Sequence, residues 1–415
     1  GNGKLMNKSI LMAAGVAALG LSFSSIADVV RSEANNGNLL MEDVPPIPQW
    51  VVADLNRYQN TRSAGFRGWD EQGDGIFIST RFGDVSQVHH VDHPGGARTQ
   101  VTFFDEPVGG LSRQPGGSIM VFTMDAGGSE FSQIFLLDPS GAEDAEMLTD
   151  GKSRNGAVVW DRDGERIAYQ STRRNGASND IWLMDIDNPE SAGIALESPD
   201  GTWWGGVDFS PDGSHLLVVN YVSASDSRAH LLNLESGAHH ILAGNAEDGG
   251  VNMPLGFDKD GTGFYFLTDR AGEFRQLAWQ SLEKGSTPVI LTGDIPWDIS
   301  GGALSEDRSR GAFVVNEDGF SRLYLMNPAD NAYRAVAGIP TGLIGSLEFS
   351  PDGARLGMTM NTPRTPSDTF TLALGDEPLE HGKLTRWTYS EVGRLDTESF
   401  VVPELVRYPT FDSGK

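Results

Sequence analysis

One pattern recurs along the chain: an apolar or aromatic residue, a short polar turn usually ending in Asp-Gly, then a β-rich apolar run. The copies read WDEQGDGIFIST from Trp69, LSRQPGGSIMVFTMD from Leu111, WDRDGERIAYQS from Trp160 and FSPDGSHLLVVNY from Phe209. FDKDGTGFYFLTD from Phe257, LSEDRSRGAFVV from Leu304 and FSPDGARLGMTM from Phe349 complete a set of seven. Successive anchors lie 42, 49, 49, 48, 47 and 45 residues apart, which marks an internal repeat. In Ser-Pro-Asp-Gly, proline pre-sets φ at the second turn position and aspartate suits the third. Glycine then takes the left-handed conformation that closes a hairpin. The runs that follow (LLVVN, FYFLT, AFVV) are continuously apolar, as in strands covered on both faces.

After each run come a loop (TRRNGASND, DRAGEF), a third strand (IWLMDID, QLAWQSL), a turn and a short last strand such as VILTG. Four strands per repeat of about 47 residues is one propeller blade. The expected fold is therefore all-β, a seven-bladed β-propeller of four-stranded blades over about Ala64–Thr388. A β-helix has much shorter rungs. Upstream, PPIPQWVVADLNRYQ predicts a proline-rich lead-in with one short helix. The expected organisation is a leader over residues 1–27, a lead-in over 28–63, the propeller over 64–390, and a distinct segment over 391–415.

Composition agrees: 51 Gly and 21 Pro among 415 residues suit many tight turns, and 39% hydrophobic residues suit a buried core. The formal charge is 31 − 57 = −26, with only seven Lys. Such a surface argues against nucleic acid and anionic membranes, which need clustered cations. There is no Cys, so disulfide and thiolate chemistry are excluded, and a metal would need His and carboxylates. From Met6 the chain reads MNKSILMAAGVAALGLSFSSIADVV. A basic Lys8, an apolar run Ile10–Phe23 and the small-residue site Ser25-Ile26-Ala27 form a secretory signal pattern, with cleavage near Ala27. The run is short for a membrane span, and no Cys follows for lipidation. The expected location is periplasmic or secreted, without membrane insertion after cleavage.

Motifs for chemistry are scarce. No Gly-x-Ser-x-Gly elbow occurs. Gly151-Lys152-Ser153 mimics the end of a phosphate loop, but Glu146 stands where that motif needs glycine. Neighbours on a strand point to opposite faces, so His89-His90 (with His93 close by) and His239-His240 read as exposed outer-strand residues rather than metal ligands. Asp161-Arg162-Asp163-Gly164 and Asp185-Ile186-Asp187-Asn188 lack the remaining calcium ligands and read as hairpin turns. A glycosidase or lyase would need carboxylates converging at the channel, and no motif supports one. No cofactor is expected.

Topology singles out one face of the disc. Each blade begins its inner strand and ends its outer strand on the same side, and the loops between second and third strands open there too. Arg81, Asp125, Arg173, Arg174, Asp269, Arg270, Glu317 and Asp318 lie in those loops, and Trp203 and Trp204 lead into the fourth inner strand. These ten form the candidate substrate- or domain-facing rim.

Several stretches resemble the prolyl oligopeptidase family of serine peptidases, especially its dipeptidyl-peptidase and acylaminoacyl-peptidase-like branches. They are YQNTRSAGFRGW, STRFGDVSQVHHVDHPGGARTQVTFF, the FSPDG repeats and LTRWTYSEVGRLDTESFVVPELVRYPTFDSG. In such proteins a segment like the last opens a C-terminal α/β-hydrolase domain. The resemblance thus implies that Val401–Pro409 is the first strand of that domain and Phe411-Asp412-Ser413-Gly414 its first turn. Family members carry Ser, Asp and His in the hydrolase domain, and the propeller limits entry to short or unstructured peptides. None of the triad positions falls within this chain, so no catalytic residue is assigned, and the paired-Glu motif of some dipeptidyl peptidases is not recognisable. The expected partners are the absent hydrolase domain and short peptides, and the chain alone is expected to be inactive. FSPDG also occurs in periplasmic TolB-like propellers, and a freestanding binding or scaffold propeller is the alternative.

Overall fold

The computed structural model of the chain describes residues 28–141 and 144–412. The expected signal sequence and the Ser413-Gly414 end of the last turn lie outside the described residues. Two compact units divide near Asn56. In the first, Arg31–Ala34 pairs antiparallel with Leu39–Glu42, and the hairpin is pinned by an Arg31–Glu42 ion pair at 2.7 Å. This hairpin has no repeat signature and was not expected. The expected short helix is Gln49–Gln59.

From Arg57 onward the chain forms seven sheets, each of four consecutive antiparallel strands, running from Gly65–Trp69 in blade 1 to His381–Arg386 in blade 7. Seven apolar clusters fill the seven interfaces between neighbouring blades. The second strands show why their sequences do not alternate. In Gly263–Thr268, Phe264 and Phe266 pack toward blade 4 while Tyr265 and Leu267 pack toward blade 6. Both faces are dry, so both parities are apolar.

Every blade opens with the same hairpin register. Trp69 pairs with Ile76, Trp160 with Ile167, Phe209 with Leu216, Phe257 with Phe264, Leu304 with Gly311 and Phe349 with Leu356. Blade 2 corrects the sequence reading. Leu111 starts its inner strand, and the residue at the anchor position is Arg113, paired with Met120. Measured from Arg113, the first two spacings become 44 and 47 instead of 42 and 49. The inner strand of six blades also carries a β-bulge, for example between Phe66 and Gly68 and between Gly206 and Asp208. A bulge turns one extra residue toward the channel, and no periodicity announces it.

The turns behave as their chemistry requires. Ser210 Oγ donates to Asp212 Oδ1 at 2.6 Å, Gly213 N donates to Ser210 O at 2.9 Å, and Gly213 sits at φ +68°. Ser350, Asp352 and Gly353 repeat this arrangement. Hydrogen bonds from Ser210 and Ser214 hold the Asp212 carboxyl well below its usual range.

Among the described residues no strand is shared across the ring closure: blade 1 and blade 7 each supply four consecutive strands, and isolated backbone bonds (Ala64 N to Ser367 O and Gly95 N to Trp387 O, both 2.9 Å) join side-chain contacts at the seam. Phe66 N donates to Thr359 Oγ1 at 2.8 Å and Trp69 Nε1 donates to Glu348 O at 3.1 Å. Trp69 meets Trp387 edge-on at 6.5 Å, and both are fully buried.

On the loop face, six of the blades bury a polar side chain near the start of the third strand: Gln87, Gln133, Asp180, Ser227, Gln276 and Asp368. Gln276 is typical: its Nε2 donates to Ile295 O at 2.9 Å, and its Oε1 accepts from Thr292 Oγ1 at 2.6 Å. Thr292 Oγ1 in turn accepts from Leu277 N at 2.9 Å. Gln133 accepts from Thr149 Oγ1 and Asp368 from Thr388 Oγ1 in the same way in blades 2 and 7, while Gln87 bonds Glu106 O and Phe104 N in blade 1 and Asp180 accepts from Ser198 N in blade 3. Gln276→Ala leaves buried acceptors unpaired and should lower unfolding free energy by ~1–3 kcal/mol, read from the urea midpoint at unchanged m-value.

Candidate functional site

The loop face is built by type and length of turn. In blade 6, Glu317 and Phe320 pair across Asp318-Gly319, with φ +54° and +87° at the two central residues. That two-residue turn with both φ positive is what Asp-Gly favours. It holds the Asp318 carboxylate where Arg407 reaches it with one nitrogen at 2.8 and 2.7 Å from the two oxygens. Glu317 instead binds Arg322 at 2.9 Å. Glu317, Asp318 and Arg322 border a cavity of about 420 Å³ that is also lined by Phe320, Ile339, Pro340 and Leu405.

The tail therefore lies on this rim. After the short helix Thr397–Ser399, Phe400 packs near Tyr58 at 6.1 Å, and Arg364 pairs with Glu398 at 3.0 Å. Residues 401–410 form no strand, contrary to the expectation for Val401–Pro409. A strand exists only as a ladder with a neighbour, and no described strand pairs with this segment. Val401, Val406, Tyr408 and Phe411 are all more than two-thirds exposed, with Phe411 fully so.

The other expected rim residues are mostly held within their own loops. Arg81 donates to Gln59 O at 2.8 Å, and Asp125 accepts from Glu130 N at 2.7 Å. Asp269 accepts from Val251 N at 2.9 Å. Arg174 grips Asp180 with two bonds of 2.7 and 2.9 Å. Arg173 lies over the Trp182 ring at 5.1 Å, and Arg270 is exposed. Trp203 is 36% exposed, whereas Trp204 is buried, its indole donating to Asp200 at 3.1 Å and packing on His230. Trp204 thus belongs to the blade core and not to a ligand-facing rim, because strand alternation turns it inward beside Trp203. Among the described residues no hydrogen bond or ion pair joins one of the ten to another. They decorate a rim and do not converge on a point.

Sequence reasoning missed Arg322, Leu405 and Arg407, since nothing local marks a tail residue that reaches another blade. It also missed exposed apolar groups on the same face, including Phe82, Phe131, Tyr221 and Leu343.

The histidines need one correction. His89 is buried, not exposed, because it sits on a third strand packed between blades. Burial lowers its pKa, and its Nδ1 lies 3.1 Å from Gln87 O. His90 is half-buried and bonds Asp70 at 3.0 Å, while His239 and His240 are exposed on an outer strand as expected. The Asp161 carboxylate caps its own hairpin, accepting from Glu165 N and Arg166 N. Among the described residues no group of three or more His, Asp or Glu is placed to hold a metal ion, and no helix is long and apolar enough to cross a membrane. A cavity of about 920 Å³, lined by Asp70, His90, Phe104 and Asp138, opens between blades 1 and 2 toward the turn side, away from the rim.

Carboxylates do meet the channel at its turn-side end. Asp208 and Glu306 are paired with arginines there. Glu348 is water-accessible yet enclosed by the channel walls, and this burial pushes its carboxyl up to about 7, against the pull of Arg113.

Residues 106–288 match the model of the prolyl oligopeptidase N-terminal β-propeller domain. This is the family that the repeats and tail resemble. Among solved structures, one from a study of two prolyl endopeptidases superimposes with TM-score 0.69 at 13% identity, covering 89% of this chain and 55% of that one. Prolyl oligopeptidase B from Galerina marginata gives 0.67 at 13%, covering 93% and 62%. A puromycin-hydrolysing peptidase of Mycobacterium tuberculosis gives 0.63 at 16%, covering 80% and 53%. Likeness at this distance shows the fold, and the chain spans less than two thirds of each of these structures. No curated protein sequence matches it.

Two outcomes follow for this face and the channel. Asp318→Asn should free the tail, raising hydrogen exchange and protease cleavage over residues 400–412, while global stability changes by under ~1 kcal/mol, as for an exposed pair. Glu348 is protonated in the fold at pH values where an unfolded glutamate, near 4.5, is ionised. Stability should therefore fall as pH rises from about 4.5 through about 7. Urea unfolding across that window should show the slope flattened in Glu348→Gln.

Proposed function

We propose that this propeller is the substrate-limiting, non-catalytic part of an exported serine peptidase that hydrolyses short peptides. Its Ser-Asp-His machinery would lie in an α/β-hydrolase domain seated on the loop face. The observation that carries this reading is the docked tail. The chain leaves blade 7 on the loop face and is tied there by Arg407 to Asp318, so whatever continues it is delivered to that side. The family match and the exposed Phe82, Phe131, Trp203 and Leu343 support the same side, since apolar rim groups suit cover by another domain. A propeller capping that domain would limit access to short or unstructured peptides and spare folded proteins. The leader pattern ending near Ala27 supports export.

The pure 415-residue chain should not turn over an aminoacyl-nitroanilide. The same chain continued through a hydrolase domain should do so, and a serine-reactive inhibitor should abolish it. Inhibitor-sensitive turnover by the 415-residue chain alone would overturn the proposal.

A further inference from the structure

Blade 6 departs from the repeat at its first turn. In five of the other blades the closing turn position is glycine at φ +68° to +72°: Gly73, Gly164, Gly213, Gly261 and Gly353; blade 2 has Gly117 there and places its positive φ one residue earlier, at Gly116. In blade 6 it is Arg308, at φ +59°. A non-glycine residue there costs ~1 kcal/mol or more and persists where something else holds it. What holds Arg308 is a long reach. Its Nη2 lies 2.9 and 3.0 Å from the two Asp208 oxygens, on the inner strand of blade 4. Asp208 also accepts from Phe257 N of blade 5 at 2.8 Å and faces Arg162 of blade 3 at 3.5 Å. Gly256 keeps the path clear, since a Cβ there would stand 3.2 Å from Asp208 and 3.3 Å from Arg308.

The same turn makes a second crossing. Glu306 meets Arg113 of blade 2 at 3.2 Å, and Arg113 occupies the anchor position that is Trp, Phe or Leu in every other blade. Arg113 is buried, with further bonds to Gln114 O and Gly117 O. Blades 2 and 6 stand three places apart in a ring of seven, as far apart as two blades can be. Arg308 and Arg113, departures from the repeat in blades 6 and 2, are thus each matched by a carboxylate of another blade, Asp208 and Glu306, across one end of the channel.

We propose that these ion pairs form a bar that shuts the turn-side mouth of the channel, leaving the loop face as its only way in. The inference concerns the route into the channel and does not depend on the peptidase reading.

Because the chain contains no cysteine, one introduced thiol reports access cleanly. Ser346 is exposed on the inner strand of blade 7, a position whose only open side is the channel. The rate at which iodoacetamide modifies Ser346→Cys is compared with and without Arg308→Gly plus Glu306→Gln. Arg308→Gly relieves the backbone strain, so the variant should fold. Cysteine at Ala278, which is fully buried, reports unfolding. The expected result is a several-fold faster reaction at Ser346→Cys in the opened variant, with Ala278→Cys unreactive in both backgrounds. An unchanged rate at Ser346→Cys, or an increase matched at Ala278→Cys, would sink the proposal.

Discussion

The fold depends on one recurring problem and its solution: what satisfies the backbone where the chain passes from one blade into the next. Each outer strand ends on the loop face, and the connection dives between two blades to begin the next inner strand. Its amides and carbonyls leave water there and have no ladder to join. A buried Gln or Asp at the head of the third strand supplies the missing partners, with Thr or Ser at the end of the outer strand completing the link. Blades 4 and 6 use a shorter form, in which Ser227 and Ser321 accept from Asn252 N and Ile344 N of the next blade. These side chains let seven separate apolar layers act as one ring. Without them each interface would bury several unpaired polar groups, each costing ~1–3 kcal/mol.

A ring so built needs no exchanged strand to close. At the seam of blades 1 and 7, Trp387 Nε1 donates to Thr371 Oγ1 at 2.8 Å, and Trp387 packs against Trp69 and Phe66 in a dry cluster. Gly357 belongs to the same fit, because a Cβ there would lie 2.4 Å from the Phe66 ring. This interface has the same materials as the other six, so it has comparable reason to hold. Arg355 adds a tie over the top, with its guanidinium 5.1 Å from the Trp69 ring and bonded to Gly73 O.

The blade count, the strand order and the identity of the two faces were legible because each follows from period and turn chemistry. Asp-Gly turns and unbroken apolar runs are local signals, and they repeat. The outer links were half visible: the LTG and LTD endings hold the Thr of each link, but its Gln partner lies some 16 residues earlier and stands out only once burial is known. Arg113 was misread because an arginine at an apolar anchor hides the register of its strand. His89 and Trp204 were misplaced because alternation decides their direction, and one residue of shift reverses it. The tail was legible as a distinct segment. Its seat was not, since Arg407 and Asp318 are 89 residues apart and meet only after the seventh blade is complete.

The two faces are built on different logic, and this bears on where function resides. The turn face uses two related closures, Ser with Asp and Gly in blades 4 and 7 and an Asp carboxylate with Gly in blades 1, 3 and 5, so most of its blades are alike. The loop face varies from blade to blade: an Asp-Gly turn in blade 6, an arginine-rich loop in blade 3 and exposed aromatic residues in blades 1, 2 and 4. Variation on a uniform scaffold is where binding differences accumulate. The breaks in the turn face, in blades 2 and 6, are therefore the more informative ones. Glycine would serve blade 6 at no strain, as it serves five other blades, yet Arg308 stands there with its charge spent on Asp208. A residue that strains the backbone to reach Asp208, in a turn whose Glu306 meets Arg113 three blades away, is better explained by a requirement at the channel than by stability of the turn.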